Sequence, residues 1–169
     1  MKRTALLAAL LLASVPAFAA EQTVRVGGQA MFPSKTIVAN AVNSADHTTL
    51  VAAVKAAGLV DTLNSKGPFT VFAPTNAAFG MLPAGTVETL VKPENKGTLT
   101  SILTYHVVPG QATPAQVVGQ HKTVQGATLT VTGSGDNLKV NDAGVICGGV
   151  STTNAQVYLI DTVLMPPAQ

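Results

Sequence analysis

The apolar positions of this chain change period along its length. Ala5 to Val15 is an almost unbroken apolar run, apolar residues recur every three or four positions from 36 to 119, and they alternate with polar ones from 120 to 166. The middle zone predicts helices. Ile37, Val38, Ala41 and Val42 share a face after Ser34, a residue suited to cap it. Leu50, Val51, Val54 and Ala57 share a second face, with Gly58 where a left-handed terminator belongs, and Leu59, Val60 and Leu63 add a short turn. Val87, Leu90 and Val91 mark a small helix ended by Pro93, and Leu99, Ile102 and Leu103 form the stripe of another. In the last zone Thr128–Thr132 and Asn137–Asn141 read as strands around the hairpin loop Ser134-Gly135-Asp136. Asn141-Asp142-Ala143-Gly144 is the next turn, and Val145-Ile146-Cys147 and Val157-Tyr158-Leu159-Ile160 complete the set before Pro166-Pro167. Helices followed by antiparallel strands predict an α+β domain.

Between these zones the thirteen residues from Gly67 to Phe79 condense a turn, a strand, a corner and a helix start. Gly67-Pro68 turns the chain and Phe69-Thr70-Val71-Phe72 is a short β run. Pro74 cannot donate to a ladder, so the strand must stop there. Thr75 or Asn76 can then accept from the free N–H groups of a helix that carries Phe79.

The first twenty residues read differently. Lys2 and Arg3 precede the apolar run and Ala17-Phe18-Ala19 supplies a small-x-small pattern, so residues 1–19 are expected to be a signal peptide. The mature chain is then exported, to the periplasm or the medium. Residues 20–33, with Gly27, Gly28 and Pro33, are expected to be an extended lead-in on the surface, and residues 34–166 the folded domain. No later run is long enough to span a bilayer as a helix, so an integral membrane protein is not expected. Lys2 and Arg3 leave with the signal, and the ten basic residues become eight against eight acidic ones. Without a basic excess, Trp or many aromatics, nucleic-acid binding has no electrostatic basis. Cys147 is the single cysteine, which precludes an internal disulfide; it is expected as a small buried apolar side chain in a monomer.

Candidate chemistry is sparse. Tyr105-His106 places two polar-tipped rings where a helix hands over to a strand, among Leu103, Val107 and Val108. Such a His is either a contact residue or a neutral, hydrogen-bonded tie between elements. No nucleophile elbow is complete: Gly149-Val150-Ser151-Thr152-Thr153 lacks its second glycine, and the glycines around Ser134 suit a hairpin tip. No catalytic residue and no enzyme activity are expected. His47, His106, His121 and Cys147 form no metal-ligand spacing, and Asp136, Asn137, Asn141 and Asp142 are explained by turn chemistry, so neither a metal nor another cofactor is expected. Asp161 follows the last apolar strand and can accept from backbone N–H groups at a strand end.

The block GPFTVFAPTNAAF, with Phe69, Phe72, Pro74, Thr75, Asn76 and Phe79, resembles the first signature of fasciclin (FAS1) domains. Leu103 to Gly110 resembles the family's Tyr-His segment, and Asn154 to Pro166, with Ile160 and Asp161, is similar to the second signature. The three stand in the family's order and cover roughly residues 34–166. The resemblance implies a wedge in which helices pack along one edge of an antiparallel β-sandwich. It implies a non-enzymatic module for cell adhesion, binding a surface or matrix protein, a glycan or a lipid. The alternative is a carrier or sensor of a small apolar ligand held between sheet and helices. The interaction candidates are Tyr105, His106, Gly149 and Val150. The last two stand where adhesive animal members carry an Asp-Ile pair, and neither is an acid. Ala155 also replaces the glycine usual after the signature's Asn; a positive φ there would cost it about 1 kcal/mol.

Overall fold

The computed structural model describes residues 23–167 apart from Gly27 and Asp136. The chain opens with a hairpin of β1 (Val24–Val26) and β2 (Gln29–Met31). Helices α1 (Ile37–Asn43), α2 (Thr48–Ala57) and α3 (Val60–Asn64) follow, then strand β3 (Phe69–Pro74). Helices α4 (Asn76–Gly80), α5 (Thr86–Leu90) and α6 (Lys96–Tyr105) lead to β4 (Val107–Pro109), β5 (Gly119–Lys122), β6 (Thr128–Thr132), β7 (Lys139–Val140), β8 (Ala143–Ser151) and β9 (Ala155–Ile160).

The local signals act much as their chemistry dictates. Gly58 ends α2 at φ 72°, and Thr75 caps α4 by accepting from Ala78 N–H. Asn76, the other candidate cap, instead accepts from Thr49 N–H at 3.1 Å and donates to the Ala45 carbonyl at 2.8 Å, tying α4 to the start of α2. At α1 the cap is Thr36, whose hydroxyl accepts from Ala39 N–H; Ser34 lies two residues ahead of that position. The lead-in is also different from expectation. It is a hairpin with Val26 and Met31 buried in the main apolar cluster, not a strip on the surface. A lone hairpin is marginal in water, and this one gains its stability by covering the core.

Seven strands form one hydrogen-bonded sheet in the order β4-β3-β9-β8-β7-β6-β5. All pairs are antiparallel except β3 with β9, which run parallel from Phe69↔Ala155 to Pro74↔Ile160. That central parallel pair departs from the all-antiparallel expectation, because the chain between the two strands crosses the molecule before returning. Strand β8 serves both halves, pairing with β7 at its start and with β9 beyond it. The sheet curls until its edges meet: Val124, just past β5, donates to the Val107 carbonyl of β4 at 2.8 Å.

Period-2 alternation in β3 and β9 therefore serves two cores. Phe72, Tyr158 and Ile160 point inward among Leu129, Val131 and Val140. Val71, Ala73, Val157 and Leu159 point outward against Ile37, Ala53, Val54, Leu99 and Leu103 of the helices. Every residue of β9 is buried. The result is the expected α+β wedge. Gly67 is the tightest point of its entry: at φ 23°, an added Cβ would strike the Asn154 carbonyl and come within 2.9 Å of the Phe69 ring. Gly67→Ala is expected to cost about 2 kcal/mol, read as a lowered urea midpoint at unchanged slope.

Candidate functional site

The three matched blocks occupy adjacent strands. Block one supplies β3, block two supplies β4 on one side of it, and block three supplies β9 on the other. Their polar side chains converge on the strand ends.

Asn154 sits at the head of β9 and is 7% exposed. Its amide donates to the carbonyls of Leu63 at 2.6 Å and Ser65 at 2.9 Å, its Oδ1 accepts from Ile37 N–H, and its own carbonyl accepts from Phe69 N–H. One side chain thus satisfies the end of α3 and the first turn of α1. The groups of Leu63 and Ile37 would otherwise be buried without partners. Ala155 follows in extended conformation, fully buried, with no left-handed backbone to pay for.

His106 is 3% exposed and caps α6. Nδ1 lies 2.7 Å from the Ile102 carbonyl, which can only accept, so Nδ1 carries the proton. Nε2 is then bare and accepts from Leu164 N–H at 2.9 Å. The neutral ring joins α6 to the segment after β9, and burial lowers its pKa to about 4, opposed in part by the bond to Ile102. Tyr105 is equally buried. Its hydroxyl accepts from Asn141 Nδ2 at 3.0 Å, and Asn141, at φ 52°, accepts in turn from Thr130 N–H. Neither ring reaches the surface.

The other candidates are placed as follows. Phe72 stacks on Tyr158 at 5.6 Å between centroids, and the Tyr158 hydroxyl donates to the Ala112 carbonyl at 2.7 Å. Phe79 packs with Ala78, Ile102 and Val163. Asp161 accepts from Gly144 N–H at 2.8 Å and from the Thr162 hydroxyl, closing the end of β8 on β9. Val150 is buried against β9, while Gly149 sits at a bulge of β8 with φ 83°. A Cβ there would crowd Gln156 Nε2 at 3.2 Å and Pro114 at 3.3 Å, so an acid at this position would be strained. Ser151 donates to Gln156 Oε1 and bonds no His among the described residues. Among the described residues no three His, Cys, Asp or Glu side chains gather as a metal site. The signal-peptide segment and the Cys147 side chain lie outside the described residues.

Sequence reasoning passed over Asn40 and Ser44 and weighed His47 only as a metal ligand. Asn40 is buried in α1 and fastens the chain after β2 by bonding both the N–H and the carbonyl of Phe32 at 2.9 Å. Ser44 and His47 pair at 2.9 Å inside the molecule. A polar residue on the apolar stripe of α1 was the legible sign of the first; the Ser-x-x-His spacing was that of the second.

A curled sheet with parallel signature strands at its centre, covered by helices on one half, is a fold of the FAS1 type. The family model of the Fasciclin domain matches residues 45–166, and the chain belongs to the fasciclin domain family. It is 60% identical over 133 residues to the immunogenic protein MPB70 of Mycobacterium bovis, covering 76% of this chain and 67% of that protein. It is 51% identical over 157 residues to the cell surface glycolipoprotein MPB83 of Mycobacterium bovis, covering 90% and 70%. Protein sll1483 of Synechocystis sp. is 50% identical over 148 residues, covering 87% and 82%. Among solved structures, the FAS1 domain pair of the insect cell adhesion molecule Fasciclin I superposes with a TM-score of 0.69 at 17% identity. That match covers 82% of this chain and 52% of the pair, and it concerns the fold. No helix among the described residues is long and apolar enough to cross a membrane.

Proposed function

We propose that this chain is an exported, non-enzymatic fasciclin-type module that adheres to a surface or matrix protein, glycan or lipid through its exterior. One observation carries the reading: polar side chains of all three signature blocks are engaged in internal hydrogen bonds. The name of the relative MPB83 as a cell surface glycolipoprotein supports the address. Tyr105 and His106 serve as scaffold in this reading. The contact surface is the depression of about 230 Å³ bordered by Val24, Pro33, Gly149 and Ser151, where β8 bulges beside the N-terminal hairpin. A drug-sized carrier site fits less well, because the two apolar pockets beside α1 hold about 40 and 50 Å³ against the roughly 300 Å³ or more such ligands fill.

The test is capture of partners from surface extracts of the protein's own cells with the mature chain as bait. Val24→Glu combined with Ser151→Arg should abolish capture at unchanged melting temperature. Equal capture by wild type and the rim variant would move the contact elsewhere, and turnover of an ester or glycoside by the purified chain would end the non-enzymatic reading.

A further inference from the structure

Strand β8 runs from Ala143 to Ser151, and β9 accompanies it from Val145 to Ser151 on one side. On the other side β7 pairs only with Ala143 and Gly144, and Val145 N–H reaches back to the Leu138 carbonyl at 2.9 Å. Beyond Val145 that side of β8 has no further strand among the described residues. The second half of β8 is therefore a sheet edge, with outward N–H and C=O groups that no ladder serves. Such edges are commonly blunted by charges, prolines or bulges. From Ala143 to Ile160 the chain holds no charged residue and no proline. The register shifts between Val145, Cys147 and Val150 break up the first part of the edge. After them Val150↔Val157 and Ser151↔Gln156 stand in consecutive register again.

That regular end borders the depression of about 230 Å³. Gly149, Val150 and Ser151 all line it, although successive side chains of a strand face opposite ways. Val150 is buried in the main apolar cluster, and Ser151 donates to Gln156 Oε1 at 2.9 Å. What the three residues share toward the depression is the main chain of the edge. The hairpin supplies the other wall through Val24, Met31 and Pro33. Thr153 N–H donates to the Lys35 carbonyl at 3.1 Å, which ties the chain after β8 to the chain after the hairpin. None of the six lining residues is charged, so nothing among them selects a charged headgroup or an acidic sugar.

We propose that the depression takes an extended polypeptide segment of a partner protein, which pairs its main chain with Gly149–Ser151 as an added strand. This rests on the reading that the depression is the contact surface, and it selects protein among the candidate partners. An extended main chain carries donors and acceptors at the spacing of a strand edge; a sugar or an acyl chain does not. Three residues of β8 span about 10 Å, so about three residues of the partner make the pairing. Its side chains that face Val24 and Pro33 are uncharged and small or β-branched.

The experiment titrates the isotope-labelled mature chain with a capped hexapeptide of alternating Thr and Val. The comparison probe is its ester analogue, which keeps side chains and shape but has oxygen in place of each internal N–H. NMR follows the backbone amides of Gly149, Val150 and Ser151. The peptide should shift them saturably and slow hydrogen exchange at the edge, and the ester analogue should bind about tenfold weaker or worse. Val24→Glu combined with Ser151→Arg should remove peptide binding. Equal affinity for the two probes would overturn the added strand. If the rim variant also lost surface capture, that result would reject the strand and retain the depression as the contact surface. Shifts that never saturate, or that saturate only away from Gly149–Ser151, would overturn it too.

Discussion

Asn154→Leu is expected to lower the unfolding free energy by about 4 kcal/mol. The side chains are alike in size, so little of the loss is packing. Leucine removes the two N–H groups that serve the Leu63 and Ser65 carbonyls and the oxygen that serves Ile37 N–H. Each buried backbone group left alone costs about 1–3 kcal/mol. Urea unfolding at pH 7 reads the effect directly. A loss below about 1 kcal/mol would mean that water reaches those groups once the amide is gone, and that the head of β9 is not the anchor described above.

The second large effect is acid sensitivity. His106 titrates near 4 in the folded chain against about 6.5 when unfolded. As pH falls below 6.5 the unfolded chain takes up the proton first, so stability declines through the window from 6.5 to 4 and levels off below it. Above 6.5 the ring is neutral in both states and contributes no pH dependence. The full difference corresponds to about 3 kcal/mol, of which about 2 is lost by pH 5. Burial is why the folded state resists protonation, and a protonated Nε2 would also be a donor facing Leu164 N–H. His47 shifts in the same direction and adds to the decline. Denaturant titrations at pH 7.5 and pH 5 should therefore differ in wild type, and His106→Gln should flatten most of that difference. Identical wild-type stability at the two values would refute the buried-neutral assignment.

The legible parts of the fold were those encoded within a few residues. Gly58, Thr75 and Pro74 act on their own neighbours, and a left-handed cap, a side-chain cap and a missing donor work wherever they occur. Ser34 and Thr36 compete for one role within three residues, and only the exact entry of the chain chose between them. The lead-in was harder. Val26 and Met31 are the buried apolar residues of two three-residue strands, too short a pattern to reveal a face that the main core would need covered.

At the candidate site the residue types were visible and their duties were not. Tyr105, His106 and Asp161 stood out as polar groups among apolar ones, which marks a buried tie and a binding residue alike. Their partners are Asn141, Leu164 and Gly144, each distant or in another element. Ser44 was overlooked, and His47 weighed only as a metal ligand, because a Ser and a His beside a helix end are ordinary turn composition.

Sequence alone determined the α+β class and the stops at Gly58 and Pro74, because periodicity and chain breaking are short-range properties, and the resemblance of three blocks to family signatures implied a single domain. Tertiary structure decided the parallel marriage of β3 to β9, the proton position on His106, and which edge of β8 was left open. Those depend on which groups meet across as many as 117 positions, as Ile37 and Asn154 do, and burial makes each such meeting matter only once the chain has closed.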